Sequence, residues 1–155
     1  MSSESIYDLR PGTDDDVEFA IELNRTSMLP YLHELPQWND RIGRAEMERR
    51  WAGDPYQIII VGETRAGMLA LGRRGGQVIL KHIELMPEFR GKGIGAAIVQ
   101  EVIEQARAEG LGVTLHVLKS NPAIRLYERL GFRIVEEVDT GWRGVKFKMG
   151  RTTDW

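Results

Sequence analysis

The run Arg90-Gly91-Lys92-Gly93-Ile94-Gly95 constrains this chain more than any other segment, because it stands between an apolar strand pattern and an amphipathic helix pattern. Three glycines in six positions let the backbone turn sharply and crowd its N–H groups around an anion. The first helical turn adds unpaired donors and the positive end of its dipole. The segment therefore describes a cradle for a pyrophosphate-sized group. A second strand-to-helix junction follows at Asn121-Pro122-Ala123-Ile124-Arg125-Leu126-Tyr127-Glu128-Arg129-Leu130-Gly131-Phe132, where an amide and a phenol are offered together.

The order of elements around these junctions is read from periodicity. A strand is expected over 6–9, closed by Pro11-Gly12, and then a helix entered through Thr13 with Asp14, Asp15 and Asp16 as its solvated first turn. That helix is expected to bury Val17, Ala20, Ile21, Leu23 and Met28. Pro30 and Pro36 interrupt the pattern before a second helix over 40–52. Strands follow over 56–61 and 68–71 with a hairpin turn over 62–67, and a longer strand over 78–86. Ile94, Ala97, Ile98, Val102 and Ala106 recur at helical spacing within 93–108, and 113–118 alternates as a strand. A helix over 122–130 and strands over 132–138 and 145–149, around the turn Gly141-Trp142-Arg143-Gly144, complete the chain.

Composition narrows the class. With 155 residues, 42% of them hydrophobic, a single domain over 1–155 with its core over 6–149 is expected. Twenty-one basic residues interspersed with 23 acidic ones give no field that would gather nucleic acid or an anionic membrane. Cysteine is absent, and His33, His82 and His116 lack metal-ligand spacing, so disulfides, thiolate catalysis and a metal centre are not expected. Met1-Ser2-Ser3-Glu4-Ser5 has no leader pattern and no stretch is apolar enough for a membrane span, which predicts a soluble cytoplasmic protein.

A strand, a helix and a strand in succession imply a right-handed parallel crossover, which makes 78–86 and 113–118 neighbours. Gly95 and Asn121 are 26 positions apart, room for one helix and a return strand, so both junctions lie at the carboxyl ends of adjacent parallel strands. Open α/β sheets place ligands there. Rival readings of the glycines fail on neighbouring residues. Lys92 is followed by Gly93 rather than the Ser or Thr of a Walker A loop, and no acidic residue stands near Leu115 and His116 to hold a dinucleotide ribose.

At this point the chain resembles the GCN5-related N-acetyltransferases, the GNAT family of acyl-CoA-dependent enzymes. Arg90, Gly93 and Gly95 match that family's pyrophosphate motif, and Asn121, Ala123, Leu126, Tyr127, Gly131 and Phe132 match its second motif. The resemblance extends from about residue 6 to 149 and implies an α/β (α+β) GNAT fold. Its mixed sheet of six to seven strands is antiparallel in the N-terminal part, with a splayed parallel central pair, and about four helices flank it. The implied reaction is acetyl transfer from acetyl-CoA to a primary amine by direct attack on the thioester.

The resemblance also assigns roles. The backbone N–H groups of Lys92, Gly93, Ile94, Gly95 and Ala96, with Gly91 beside them, would hold the pyrophosphate, and Arg90 and Lys92 would add charge. Leu85 and Met86 would pair with the pantetheine arm, Leu85 supplying the amide for the thioester carbonyl. Asn121 would bond the arm from the other side. Tyr127, protonated at neutral pH with a reference pKa near ~10, would give its proton to the departing thiolate. Many relatives carry Glu where this chain has Lys81 and His116, which leaves the base open between His116, Glu84 and water, with His82 on the side of Glu84.

Acceptors in this family enter between the loop after the first helix and the loop joining the last two strands. Tyr31, His33 and Trp38 in the former, and Trp142 in the latter, are the candidate contacts for a small-molecule amine or a peptide. Two other functional classes stay open at this level: a non-catalytic acyl-CoA sensor, and a structural partner whose aromatics form a homodimer interface.

Overall fold

The computed structural model describes residues 6–153; the expectation about the leader concerns residues outside that range. The elements are β1 (Asp8–Pro11), α1 (Val17–Met28), α2 (Asp40–Gly53), β2 (Tyr56–Val61), β3 (Thr64–Arg74), β4 (Gln77–Leu85), α3 (Ile94–Ala108), β5 (Gly112–Leu118), α4 (Ile124–Arg129), β6 (Arg133–Asp139) and β7 (Val145–Arg151). The strands form one open seven-stranded sheet in the order β1-β2-β3-β4-β5-β7-β6. This is the mixed, flanked sheet the resemblance implies, with the expected parallel neighbours β4 and β5.

That parallel pairing is short. It runs from Gln77 with Gly112 to Leu80 with Leu115 and then stops. Beyond it β4 stays with β3, His82 facing Ala70 and Leu85 facing Gly67, while β5 stays with β7, His116 facing Lys148. Lys81 is the extra residue between Leu80 and His82, a bulge that bends β4 away from β5. The splay is thus written into one inserted residue and two different partners.

The two faces of the sheet are covered by different helices. α3 buries Ile94, Ile98, Val99, Val102, Ile103 and Ala106 against Leu80, Val113, Leu115 and Met149. α1 and α2 cover the other face, where Ala20, Leu23 and Met47 pack with Tyr56, Met68 and Ala70. Of the residues expected inside α1, Ala20 and Leu23 are buried, whereas Val17, Ile21 and Met28 are half-buried. No helix among the described residues is long and apolar enough to cross a membrane, and no group of three or more His, Asp or Glu there is arranged to hold a metal ion.

Three local expectations change. The hairpin turn after β2 is not 62–67: β3 already begins at Thr64, where Ala66 is the extra residue opposite Ile59 and Ile60 and polar Arg65 and Thr64 pair with Ile60 and Val61. β1 begins at Asp8, two residues later than expected. α4 is shorter than 122–130 because the Asn121 side chain takes the Ala123 N–H (2.8 Å), holding 121–123 as a turn.

The acidic triplet is also not uniformly solvated. Asp14 and Asp15 are exposed, but Asp16 is 2% exposed, receives Arg10 through two bonds of 2.8 Å and Arg65 at 3.3 Å, and accepts the Thr13 N–H. Hydrogen bonds from Arg10 hold its carboxyl well below the usual carboxylate range, outweighing burial. Because the folded group titrates below its unfolded value, this stabilisation is present above about pH 4 and fades as pH falls further. We expect Asp16→Ala to cost about 2 kcal/mol at neutral pH, since the half-exposed arginines rehydrate in part. Urea titrations at pH 7 and pH 3 check this: the difference from the parent should shrink at the lower pH.

Candidate active site

The glycine run leaves β4 and enters α3 as the sequence suggests. Gly91 and Gly93 adopt φ of 70° and 81°, the left-handed region that L side chains avoid. A methyl group on either would meet no protein atom within 4 Å, so the space in front of them is open. Gly93 caps α3 without any side-chain bond to the first turn. The first-turn amides at Ile94, Gly95 and Ala96 therefore face outward as donors, while the buried Ile94 side chain anchors the turn. Small, open and donor-rich, this cradle fits a pyrophosphate.

Arg90, expected to add charge to the cradle, has protein partners. Its Nε donates to the Leu85 carbonyl (2.9 Å) and its guanidinium to Ser27 Oγ (3.1 Å), so it ties the end of α1 to the end of β4. Lys92 is exposed, with Nζ 5.9 Å from the centre of the Phe89 ring, and is the charge left beside the cradle.

The end of β4 carries a backbone donor turned away from its strand partner. Met86 N–H donates to Ala66 O (2.7 Å) and its carbonyl accepts from Phe89 N–H (2.9 Å), so both backbone groups of Met86 are engaged. Antiparallel pairing alternates, which turns Leu85 N–H away from β3 and into the splay. Of the two residues expected to meet the pantetheine arm, Leu85 is the one whose N–H has no partner among the described residues.

On the opposite wall, Asn121 uses its side-chain oxygen for the Ala123 turn, which leaves its NH2 as the group that can reach a ligand. The Tyr127 ring is 7% exposed and packs edge-on to Phe132, ring centres 5.8 Å apart. Its hydroxyl makes no hydrogen bond among the described residues and is not a sealed atom. Burial pushes its pKa up to about 12, so the proton is retained throughout the neutral range.

The candidate bases separate clearly. Glu84 lies on the α1 side of β4, where Asn24 donates to its Oε1 (2.9 Å) and His82 Nε2 bonds the same oxygen. The other imidazole nitrogen, Nδ1, bonds the Tyr56 hydroxyl at 2.7 Å. Burial alone would raise the Glu84 pKa, but His82 and hydrogen bonds from His82, Ser27 and Asn24 outweigh it and hold the carboxylate below its usual range. Its Oε2 is buried with no hydrogen-bond partner among the described residues. His116 instead is largely exposed; partial desolvation of its ring, and then the charges of Lys148 and Lys146, lower its pKa. Nothing local in the sequence marks Tyr56 or Asn24. They join Glu84 only through the β2-β3-β4 register and the packing of α1.

The residues expected to meet an acceptor lie in the segment after α1 and the turn before β7. Tyr31 is half-buried, its pKa raised by burial and by the charges of Glu34 and Glu84. Glu34 receives Ser120 Oγ (2.7 Å), and Leu35 lies against Gly144, which joins the two walls. His33 is exposed beside Glu34. Trp38 packs over Gly43, where even a Cβ would sit 2.4 Å from the ring, and Trp142 is covered by the Arg143 guanidinium at 4.7 Å. Both tryptophans therefore have intramolecular partners.

The open mixed sheet therefore splays beside a glycine-lined helix start. The chain belongs to the acetyltransferase (GNAT) family, whose model matches residues 19–132. It is 49% identical to the L-methionine sulfoximine/L-methionine sulfone acetyltransferase of Pseudomonas aeruginosa, over 76% of this chain and 74% of that protein. It is 34% identical to the thialysine N-epsilon-acetyltransferase of Sus scrofa over 62% of this chain, a match spanning 57% of the pig protein's length. The spermidine N-acetyltransferase of Vibrio cholerae, solved with CoA and spermine, superposes with a TM-score of 0.69 at 19% identity, covering 97% of this chain and 98% of that one.

Proposed function

We propose that this chain, acting as one domain in the cytoplasm, transfers the acetyl group of acetyl-CoA to a primary amine. The observation that carries the reading is the Leu85 N–H, turned into the splay between β4 and β5 at the foot of the glycine cradle. The donor supplies an activated thioester. The α3 cradle and Lys92 hold the phosphate end, and the Asn121 NH2 steadies the arm. Leu85 N–H donates to the carbonyl oxygen as it gains charge, the kind of preorganised donor that contributes most to acyl transfer. Glu84 Oε2 takes the proton that the attacking nitrogen sheds, and Tyr127 gives its own to the leaving sulfur. Acetylated relatives' substrates named above, thialysine, methionine sulfoximine and spermidine, are all amines and support this class.

Two variants test the division of labour. Gly93→Ala places a methyl in the cradle and forces a left-handed alanine, so we expect acetyl-CoA affinity to fall about tenfold or more by calorimetry. His116→Ala should leave kcat within about threefold and the shape of the pH profile unchanged, because a general base removed outright costs 100-fold or more. Amine-dependent release of free thiol from acetyl-CoA, scanned over an acceptor panel, tests the proposal itself. Cofactor binding without thiol release would leave a sensor instead, and gel filtration reports whether the chain also forms a homodimer.

A further inference from the structure

The face of the splay opposite α3 carries an excess of positive charge that the transfer steps above leave unused. Glu46 and Arg50 stand one turn apart on α2 and so share a face. Glu46 pairs with Arg143 from the turn before β7. Arg50 reaches over β4 and donates to the Lys81 carbonyl (3.3 Å), at the bulge where β4 leaves β5. Lys146 stands opposite Leu118 on β7, on the same face as His116 and Lys148. It is half-buried, and its pKa is lowered by burial and then by the charges of Arg50 and Arg143, with Glu46 opposing.

The nearby carboxylates are already engaged. Glu46 holds Arg143 and Asp54 holds Lys81 Nζ at 2.8 Å, while Glu136 stands opposite Lys148, not Lys146, in the β6–β7 register. Among the described residues neither Arg50 nor Lys146 forms an ion pair. Half-buried like charges are costly unless an anion joins them. In the transfer proposed above the phosphates of the donor sit at the start of α3, which leaves the acceptor as the source of an anion for these cations. A few residues along β4 lies the opposite charge, Glu84, with its unpartnered Oε2.

We propose that Arg50, Lys146 and Arg143 form a carboxylate-binding site and that the acceptor is an amino acid, held there by its carboxylate while its amine meets Glu84. This presupposes the acetyl transfer proposed above. The arrangement favours a zwitterion and disfavours a polyamine, whose second ammonium would fall among the cations.

The test compares the proteinogenic amino acids, each against its decarboxylated amine, in thiol release from acetyl-CoA, with binding measured in parallel by calorimetry in the presence of CoA. The best acceptor should be an amino acid, preferred over its decarboxylated partner by about tenfold or more in kcat/KM. Arg50→Met and Lys146→Met should each reduce that preference about tenfold, mainly through KM, while Arg50→Lys retains most of it. Equal or better turnover of the decarboxylated amines overturns the proposal, as does loss of acetyl-CoA affinity in Arg50→Met. An amino acid that binds in an Arg50-dependent way without being acetylated upholds the carboxylate site and refutes the transfer reading. Absence of both binding and turnover for every amino acid overturns the carboxylate site as well.

Discussion

Glu84→Gln should lower kcat about 100-fold or more while acetyl-CoA binding stays within about twofold. Gln keeps the length of the side chain and an oxygen that can accept from Asn24 and His82, so the tie between α1 and β4 survives. What disappears is the negative charge at Oε2 and its capacity to take a proton. Because His82 and the surrounding hydrogen bonds hold the parent carboxyl below its usual range, it is ionised well below pH 7. The parent rate should therefore rise with pH as the amine itself becomes neutral, without a step from Glu84 above about pH 5. A variant that loses melting temperature but not rate would reduce Glu84 to a structural clamp. His82→Ala gives the complementary readout: it removes the group that holds Glu84 ionised, so the acidic limb should move to higher pH.

Tyr127→Phe is the second large effect, again about 100-fold in kcat. The ring stays, along with its packing on Phe132, so stability and cofactor affinity should change little. The lost hydroxyl is the proton source for the departing sulfur. A donor whose thiol is more acidic needs that proton less, so the penalty should shrink with an activated acetyl thioester. With the pKa at about 12, the hydroxyl stays protonated through the assay range, and the parent should show no alkaline loss of kcat below about pH 10. An equal penalty for all thioesters, or an equal loss of binding and turnover, would assign Tyr127 to packing alone.

Much of the frame was legible because it is local. Glycines at 91, 93 and 95 after an apolar run, and the strand pattern of Tyr56–Val61, carry their own geometry, and the crossover rule orders β4 beside β5. The insertion of β7 between β5 and β6 is not local: it depends on which edge the last hairpin meets. The bulge at Lys81 is equally hidden, since an extra residue in a strand has no signature of its own, yet it opens the splay. Asp16 reads as one of three helix-start acids until the fold brings Arg10 and Arg65 to it. The same holds at the site. Glu84 and His82 are visible as strand residues of one period, whereas Tyr56 and Asn24 reach them from β2 and α1, and Arg50 reaches the neighbouring Lys81 carbonyl from α2. Arg90 shows what a motif leaves unsaid: beside the charge that suggests a phosphate contact, its side chain joins α1 to β4.

The most direct test of the central claim is a single assay of the parent protein with acetyl-CoA and an amine panel, following free thiol and the mass of the acceptor together. Acetyl transfer predicts thiol release that depends on the amine, matched mole for mole by an acceptor heavier by one acetyl group, and abolished alike in Glu84→Gln with Tyr127→Phe. Thiol release that ignores the amine, or tight acetyl-CoA binding with no acetylated product from any amine, would contradict it.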